Sequence, residues 1–314
     1  MKAFALTSAD HPAELVDLPD PEPAADRLVV RIVAASVNGF DLFQASGRLT
    51  AMMPHEFPAV VGRDFAGVVE AVGSEWSDVE VGDEVLGHVP SLPPLRSGSF
   101  AERVGAASLV IAGKSPEVSF ETAAAIPLAG STALASVDAI VIQPGDVVLI
   151  VGATGGVGAF AVQLAAQRGA RVIATARPGD EASLVTALGA AETIDYGAGD
   201  LVAQVRDRYP DGVAGLIDLV NRGEDFAAVA ALVGDGGRAA TTLSAADADA
   251  LAARGVTGTN VRGMPTPEVL ASLADEVAAG RLRVEIQASF PLTEVDAAIR
   301  AFSEGTRGKI VLTV

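Results

Sequence analysis

The sequence predicts an α/β fold in which a doubly wound parallel sheet is inserted into a second, strand-rich domain. Three observations predict it. The apolar run Val147-Val148-Leu149-Ile150-Val151 breaks into Gly152-Ala153-Thr154-Gly155-Gly156-Val157-Gly158 and then resumes as Ala- and Val-rich sequence. From Phe120 onward, strand-length apolar segments alternate with Ala-rich helical ones, the pattern of a parallel sheet wrapped on both faces. Before residue 118 short strands and turns dominate, and after residue 260 the texture changes once more.

In chain order, Leu28 to Val33, Phe65 to Val72 and Glu84-Val85-Leu86 read as strands, the last following the turn Val81-Gly82-Asp83. The central region offers strands at Val147 to Val151, Arg171 to Thr175, Gly215 to Val220 and Arg238 to Leu243. The first two enclose a helix, Ala159 to Arg168, closed by Gly169, which completes a β-α-β unit of about 30 residues. Such a strand, tight turn and helix start aims free helix N–H groups and the positive end of a helix dipole at one point, where a pyrophosphate can bind. Gly155 and Gly156 are expected to tighten the turn, and Gly158 to let the helix pack closely. The same glycines taken alone read as a turn and nothing more. Thr266-Pro267-Glu268 marks a helix start with Leu270, Leu273 and Val277 on one face and Gly280 after it; Thr293 opens another, with Val295, Ile299 and Phe302. Val284 to Phe290 and Lys309 to Val314 are strand-like and are expected to return to the first domain. The predicted domains are therefore 1–118 with 261–314, and 119–260.

Composition excludes several classes of function. No apolar run approaches the ~20 residues of a membrane span, and the first residues lack the basic-then-apolar order of a signal peptide, so a cytoplasmic location is expected. Zero cysteines removes disulfides, a cysteine nucleophile and thiolate zinc sites. A net charge of −18 without clustered Lys and Arg speaks against nucleic acid as partner.

Further pieces carry a family resemblance. In order they are Met1-Lys2-Ala3, Ser36-Val37-Asn38-Gly39-Phe40-Asp41, Phe57-Pro58-Ala59-Val60-Val61-Gly62-Arg63-Asp64-Phe65-Ala66-Gly67, Val81-Gly82-Asp83-Glu84-Val85 and Gly98-Ser99-Phe100-Ala101-Glu102. Ala124-Ala125-Ile126-Pro127, Gly130-Ser131-Thr132-Ala133, the glycine turn and Arg307-Gly308-Lys309-Ile310-Val311-Leu312 complete the set. Over its full length the chain resembles the zinc-free quinone oxidoreductase branch of the medium-chain dehydrogenase/reductase superfamily. The resemblance implies a Rossmann domain inserted in a partly open, β-barrel-like (GroES-like) catalytic domain, with NADPH as cofactor and a homodimer as the assembly. It further implies hydride transfer to a quinone, or to an enone or enoyl thioester. A NADPH-binding protein with a structural or regulatory role is the alternative from another class.

Zinc-dependent relatives bind their metal through a cysteine, a Gly-His-Glu motif and a third ligand. Here Asn38 stands for the cysteine, and Gly62-Arg63-Asp64 for Gly-His-Glu. A guanidinium cannot ligate zinc, so no metal is expected. Cofactor choice is read at the end of the second strand, Thr175-Ala176-Arg177. NAD enzymes place an acid there about 20 residues after the glycines. Ala176 carries no charge and Arg177 offers a bidentate partner to a 2′-phosphate, although a solvated loop arginine reads the same way.

The resemblance adds cofactor contacts from Asn38, Thr132, Thr154, Gly155, Gly156, Val157, Gly158, Thr175, Tyr196, Leu243 and Lys309, with Asn38 and Asp41 as catalytic residues. Several have plainer readings: Asn38 as a turn residue, Asp41 as a helix-start carboxylate, Tyr196 as a surface tyrosine, and Lys309 as an exposed lysine before the last strand. His55 and His88 read as mouth-lining or solvated loop residues, and His11 lies in an N-terminal turn. With only two tyrosines, Phe40, Phe43 and Phe65 are expected to supply the aromatic character around the substrate.

Overall fold

The computed structural model describes all residues, Met1–Val314. The chain forms two compact units, Met1–Leu128 with Pro265–Val314, and Ala129–Met264. The first unit extends ten residues beyond the change of texture at 118, because helix α2 packs on strands of the first unit.

That first unit contains β1 (Lys2–Leu6), β2 (Glu14–Asp17), β3 (Leu28–Ser36), α1 (Gly39–Ala45), β4 (Ala59–Val60), β5 (Asp64–Val72), β6 (Glu84–His88), β7 (Arg103–Ala106), β8 (Val110–Gly113) and α2 (Phe120–Ala124). The chain enters the second unit through α3 (Pro127–Ala139). There follow β9 (Val147–Val151), α4 (Gly156–Gln167), β10 (Arg171–Thr175), α5 (Asp180–Ala187), β11 (Glu192–Ile194), α6 (Leu201–Arg208), β12 (Val213–Asp218), α7 (Gly223–Ala230), β13 (Val233–Thr241), α8 (Ala248–Ala252) and β14 (Thr257–Asn260). The tail adds α9 (Pro267–Ala278), β15 (Ile286–Pro291), α10 (Val295–Ser303) and β16 (Lys309–Thr313).

In the first unit the main sheet runs β15-β16-β3-β5-β6-β8, with β7 also paired to β3, and a three-stranded sheet runs β2-β1-β4. Strand β3 is apolar along most of its length and serves two neighbours on one side, β7 at Leu28–Arg31 and β16 at Ala34–Ser36. Phe4, Leu28, Ile32, Phe65, Phe100, Leu292, Ile310 and Leu312 fill the core between the sheets and α10. The expected return of the tail is thus seen in the sheet itself.

The second unit is a six-stranded parallel sheet in the order β11-β10-β9-β12-β13-β14. Counted from β9 this is 3-2-1-4-5-6, the doubly wound order whose direction reverses between the first and fourth strands. Strands buried on both faces need continuous apolar sequence, and Val148-Leu149-Ile150 meets that need.

Thr266 caps α9 through its hydroxyl and Pro267 follows at the first helical position, as the sequence predicts. Thr293 does not open the next helix. A 3₁₀ turn at Leu292–Glu294 comes first, anchored by buried Leu292, and α10 starts at Val295 without a side-chain cap.

Candidate functional site

In the second unit, the turn after β9 sits at the reversal point of the sheet. Gly152 takes the left-handed conformation, φ +81°, whereas Gly155 has φ −71° and serves as the N-cap of α4. Left-handed backbone is therefore required at Gly152, not at Gly155 or Gly156, because the chain reverses immediately after the strand. Gly158 plays the part expected of it: a Cβ there would stand 2.1 Å from the Gly152 carbonyl oxygen. The Thr175 hydroxyl accepts the Gly152 N–H at 3.0 Å and ties the end of β10 to the turn. Ala159 is the first α4 residue whose N–H reaches back four residues, to Gly155. The N–H groups of Gly156, Val157 and Gly158 have no helical acceptor and can hold an anion.

At the end of β10, Ala176 is buried and Arg177 is exposed. The Arg177 guanidinium lies 4.9 Å above the Tyr196 ring, so two residues 19 positions apart form one cationic, aromatic corner. Glu181, in the first turn of α5, completes it. Its Oε2 accepts the Arg177 N–H at 2.9 Å and the Tyr196 hydroxyl at 3.1 Å. Burial first, and then the Glu181 carboxylate, raise the Tyr196 hydroxyl above its ordinary pKa. Glu181 escaped the sequence reading; the available signal was an acid one helical turn after Arg177. Leu243, half-buried, follows β13 in a turn where its N–H donates to the Thr241 hydroxyl. Thr154 is half-buried in the glycine turn. Thr132, on α3, is buried with its hydroxyl against Gly263, where a Cβ would come within 1.9 Å.

The first unit holds a buried ionic cluster. Asn38 precedes α1, and its backbone N–H donates to Asp41 Oδ2 at 2.8 Å, so Asp41 is the helix-start carboxylate that the plainer reading describes. Asp41 is also fully buried, and its Oδ1 has no hydrogen-bond partner. Burial, reinforced by Asp64 and opposed by Arg63, the Asn38 N–H and Lys309, pushes Asp41 up to about 7. The Asn38 amide donates to Asp64 Oδ2 at 3.0 Å and to the Ser36 carbonyl at 3.3 Å, and its Oδ1 accepts from Lys309 Nζ at 2.5 Å.

Lys309 is not the exposed lysine of the plainer reading. It is 3% exposed, and Nζ also donates to the Val37 carbonyl at 3.0 Å, because β16 lies beside β3 and delivers the ammonium to the end of that strand. Burial pulls its pKa down against the pull of Asp64 and Asp41. Arg63 is 1% exposed; its Nη2 donates to Gln44 Oε1, Nη1 donates to the Ser97 carbonyl, and the group lies 5.3 Å from the Phe40 ring centroid. Burial lowers it to about 10 while Asp41 and Asp64 oppose that shift.

His88 corrects a second expectation. It ends β6, buried rather than solvated, and its Nδ1 lies 2.7 Å from Asp64 Oδ1. Asp64 also accepts the Leu128 N–H at 3.1 Å. His55 is half-buried, its Nδ1 on the Met53 carbonyl and its ring stacked on Phe57; His11 is exposed. Phe65 belongs to the core, pressed against Gly87, while Phe40 is half-buried and Phe43 46% exposed.

The residues at the zinc positions do not suit a metal ion. No three His, Cys, Asp or Glu side chains gather as metal ligands anywhere in the chain, and two basic side chains, Arg63 and Lys309, occupy the cluster. Like charge disfavours a third.

Residues 24–113 match the alcohol dehydrogenase GroES-like domain, and residues 188–312 a family described as zinc-binding dehydrogenase. A solved quinone oxidoreductase from Coxiella burnetii superposes with a TM-score of 0.89 at 30% identity, covering 100% of this chain and 99% of that one. The mitochondrial NAD(P)H oxidoreductase RTN4IP1 of Mus musculus is 30% identical over 92% of this chain and 82% of its own length. A chloroplastic NADPH-dependent alkenal/one oxidoreductase of Arabidopsis thaliana is 33% identical over 60% of this chain and 50% of its own, so the match spans only half of that relative. With a relative 30% identical over most of both chains and a superposition that covers the whole chain, the chain belongs to the medium-chain dehydrogenase/reductase superfamily, in its quinone oxidoreductase branch.

Proposed function

We propose that this protein is an NADPH-dependent, metal-independent reductase that transfers hydride to a quinone. The observation that carries the reading is the ionic cluster of Asn38, Asp41, Arg63, Asp64 and Lys309 at the positions where zinc relatives hold their metal. When bound, NADPH supplies the hydride. The N–H groups of Gly156, Val157 and Gly158 hold its pyrophosphate, beside Gly155, Thr154, Thr175 and Leu243 at the carboxyl edge of the sheet. Arg177 and Tyr196 take the 2′-phosphate. Thr132 supports the nicotinamide end.

In the first unit, Lys309 acts through Asn38: its ammonium fixes the amide oxygen, and with Arg63 it sets a positive potential that favours negative charge developing on the acceptor oxygen. Asp41 holds a proton near neutral pH and is the group that supplies it. Phe40 and Phe43 offer flat apolar surface but no hydrogen-bond donor. The second reading, reduction of the carbon–carbon double bond of an enone or enoyl thioester, needs the same hydride geometry and is supported by the name of the alkenal/one relative. The protein works in the cytoplasm as a homodimer, paired through an edge of the parallel sheet. No helix is long and apolar enough to cross a membrane.

The test follows NADPH oxidation at 340 nm with a panel of quinones and enones. Faster turnover of quinones is the expected result, and faster turnover of enones selects the second reading. Tight NADPH binding without turnover on any acceptor selects the structural or regulatory role and overturns both.

A further inference from the structure

We propose that Glu181 is a second specificity-determining residue of the ribose site, accepting a ribose hydroxyl so that the chain takes NADH as well as NADPH. The inference rests on the reading of Arg177 and Tyr196 as the 2′-phosphate pocket.

Dinucleotide sites that select NAD place a carboxylate at the end of the second strand to accept the ribose hydroxyls. Here the residue that follows the strand is buried Ala176, which has no side-chain oxygen. The fold returns an acid to the same corner from another element. Glu181 lies in the first turn of α5, and its carboxylate accepts both the Arg177 N–H, at 2.9 Å, and the Tyr196 hydroxyl, at 3.1 Å. These two contacts fix the carboxylate against the backbone that leaves β10 and against the tyrosine. The Arg177 guanidinium stacks on the Tyr196 ring instead of pairing with Glu181. A ligand arriving at this exposed corner therefore meets a cation and an anion held by the same tyrosine.

The two cofactors differ there by one group, and the corner answers each differently. A 2′-phosphate brings about −1.5 to −2 charges. It gains from Arg177, is repelled by Glu181, and competes with Glu181 for the Tyr196 hydroxyl, the donor both need. A free 2′-hydroxyl is neutral and donates to a carboxylate in a charge-assisted hydrogen bond. Glu181 thus favours the cofactor that Arg177 does not, and the NADPH preference that Arg177 creates is narrowed.

The experiment measures dissociation constants of NADPH and NADH from the fluorescence of the bound reduced nicotinamide, with no substrate present. Glu181→Gln keeps the size of the side chain and removes the charge. It is expected to raise the ratio of NADPH to NADH affinity about five- to tenfold, by tightening NADPH and weakening NADH. If Glu181→Gln is poorly folded, Glu181→Ala reads the same shift. Asp211→Asn is the charge control, since it removes one exposed carboxylate at the opposite end of the parallel sheet. An unchanged ratio in the Glu181 variants, or an equal rise in Asp211→Asn, overturns the proposal. Arg177→Ala tests the underlying pocket separately: it is expected to weaken NADPH and leave NADH unaffected. NADPH binding unaltered by that change defeats the phosphate reading and the inference with it.

Discussion

Asp41 combines two tasks that are usually found apart. As a first-turn carboxylate it accepts the Asn38 N–H, which favours the ionised form; as a fully buried group it is pushed up to about 7, because burial outweighs that bond and the two neighbouring cations. The consequence for stability follows from the sign of the shift. The folded chain holds this proton more tightly than the unfolded chain, whose carboxyl titrates near 3.8, so the contribution is full below that pH and is lost as pH rises through about 7. Asp41→Asn removes the titration. Its melting temperature relative to the wild type is expected to rise between pH 4 and pH 7.5 and to level off beyond, a trend that thermal unfolding at a series of pH values will check; a difference independent of pH rejects the assignment. The same residue shows what sequence reasoning could reach. Its place three residues after Asn38 announced a helix start, since capping is local. That the carboxyl is buried among Arg63, Asp64 and Lys309 was not legible, since Lys309 reaches Asn38 across 271 positions. His88 was missed for the same reason: nothing near it in sequence marks Asp64 as its partner, 24 residues away on the adjoining strand.

At the scale of elements, the β9–α4 turn was the most legible part of the chain, because each of its requirements is met within a dozen residues. Only the division of labour among the glycines needed coordinates, as φ values are not written in a run of glycines. Gly158→Ala places a methyl group 2.1 Å from the Gly152 oxygen, a contact that backbone cannot relieve without moving α4 off the turn. The variant is expected to lose NADPH affinity at least tenfold, and several degrees of melting temperature, as a small-to-large change of about 1–3 kcal/mol would produce. Titration of NADPH fluorescence alongside thermal unfolding checks both; wild-type affinity in a folded Gly158→Ala protein contradicts the cradle. The start of α10 was less legible. Thr293 has the chemistry of a cap, but burial of Leu292 winds the preceding residues into a 3₁₀ turn, and tertiary packing overrode a local signal.

At the scale of the whole molecule, the metal-independent reading makes a direct prediction. Prolonged dialysis against a strong zinc chelator is expected to leave turnover and melting temperature unchanged, and atomic absorption to find well under one zinc per chain; one tightly held zinc per chain refutes it. The nested order of the two units, legible from changes of texture along the chain, has a further consequence during synthesis. The ribosome completes the parallel-sheet unit at Met264, while the unit begun at Met1 still lacks its last strands. Until Lys309–Thr313 emerge, β3 along Ala34–Ser36 is paired only on its β5 side, and Asp41, Asp64 and Arg63 stand without the ammonium of Lys309. An open strand edge beside an unbalanced set of charges is an aggregation hazard for a nascent chain. Strand β16 therefore acts as the latch that closes the first unit, and messages truncated just before Lys309 should yield insoluble product.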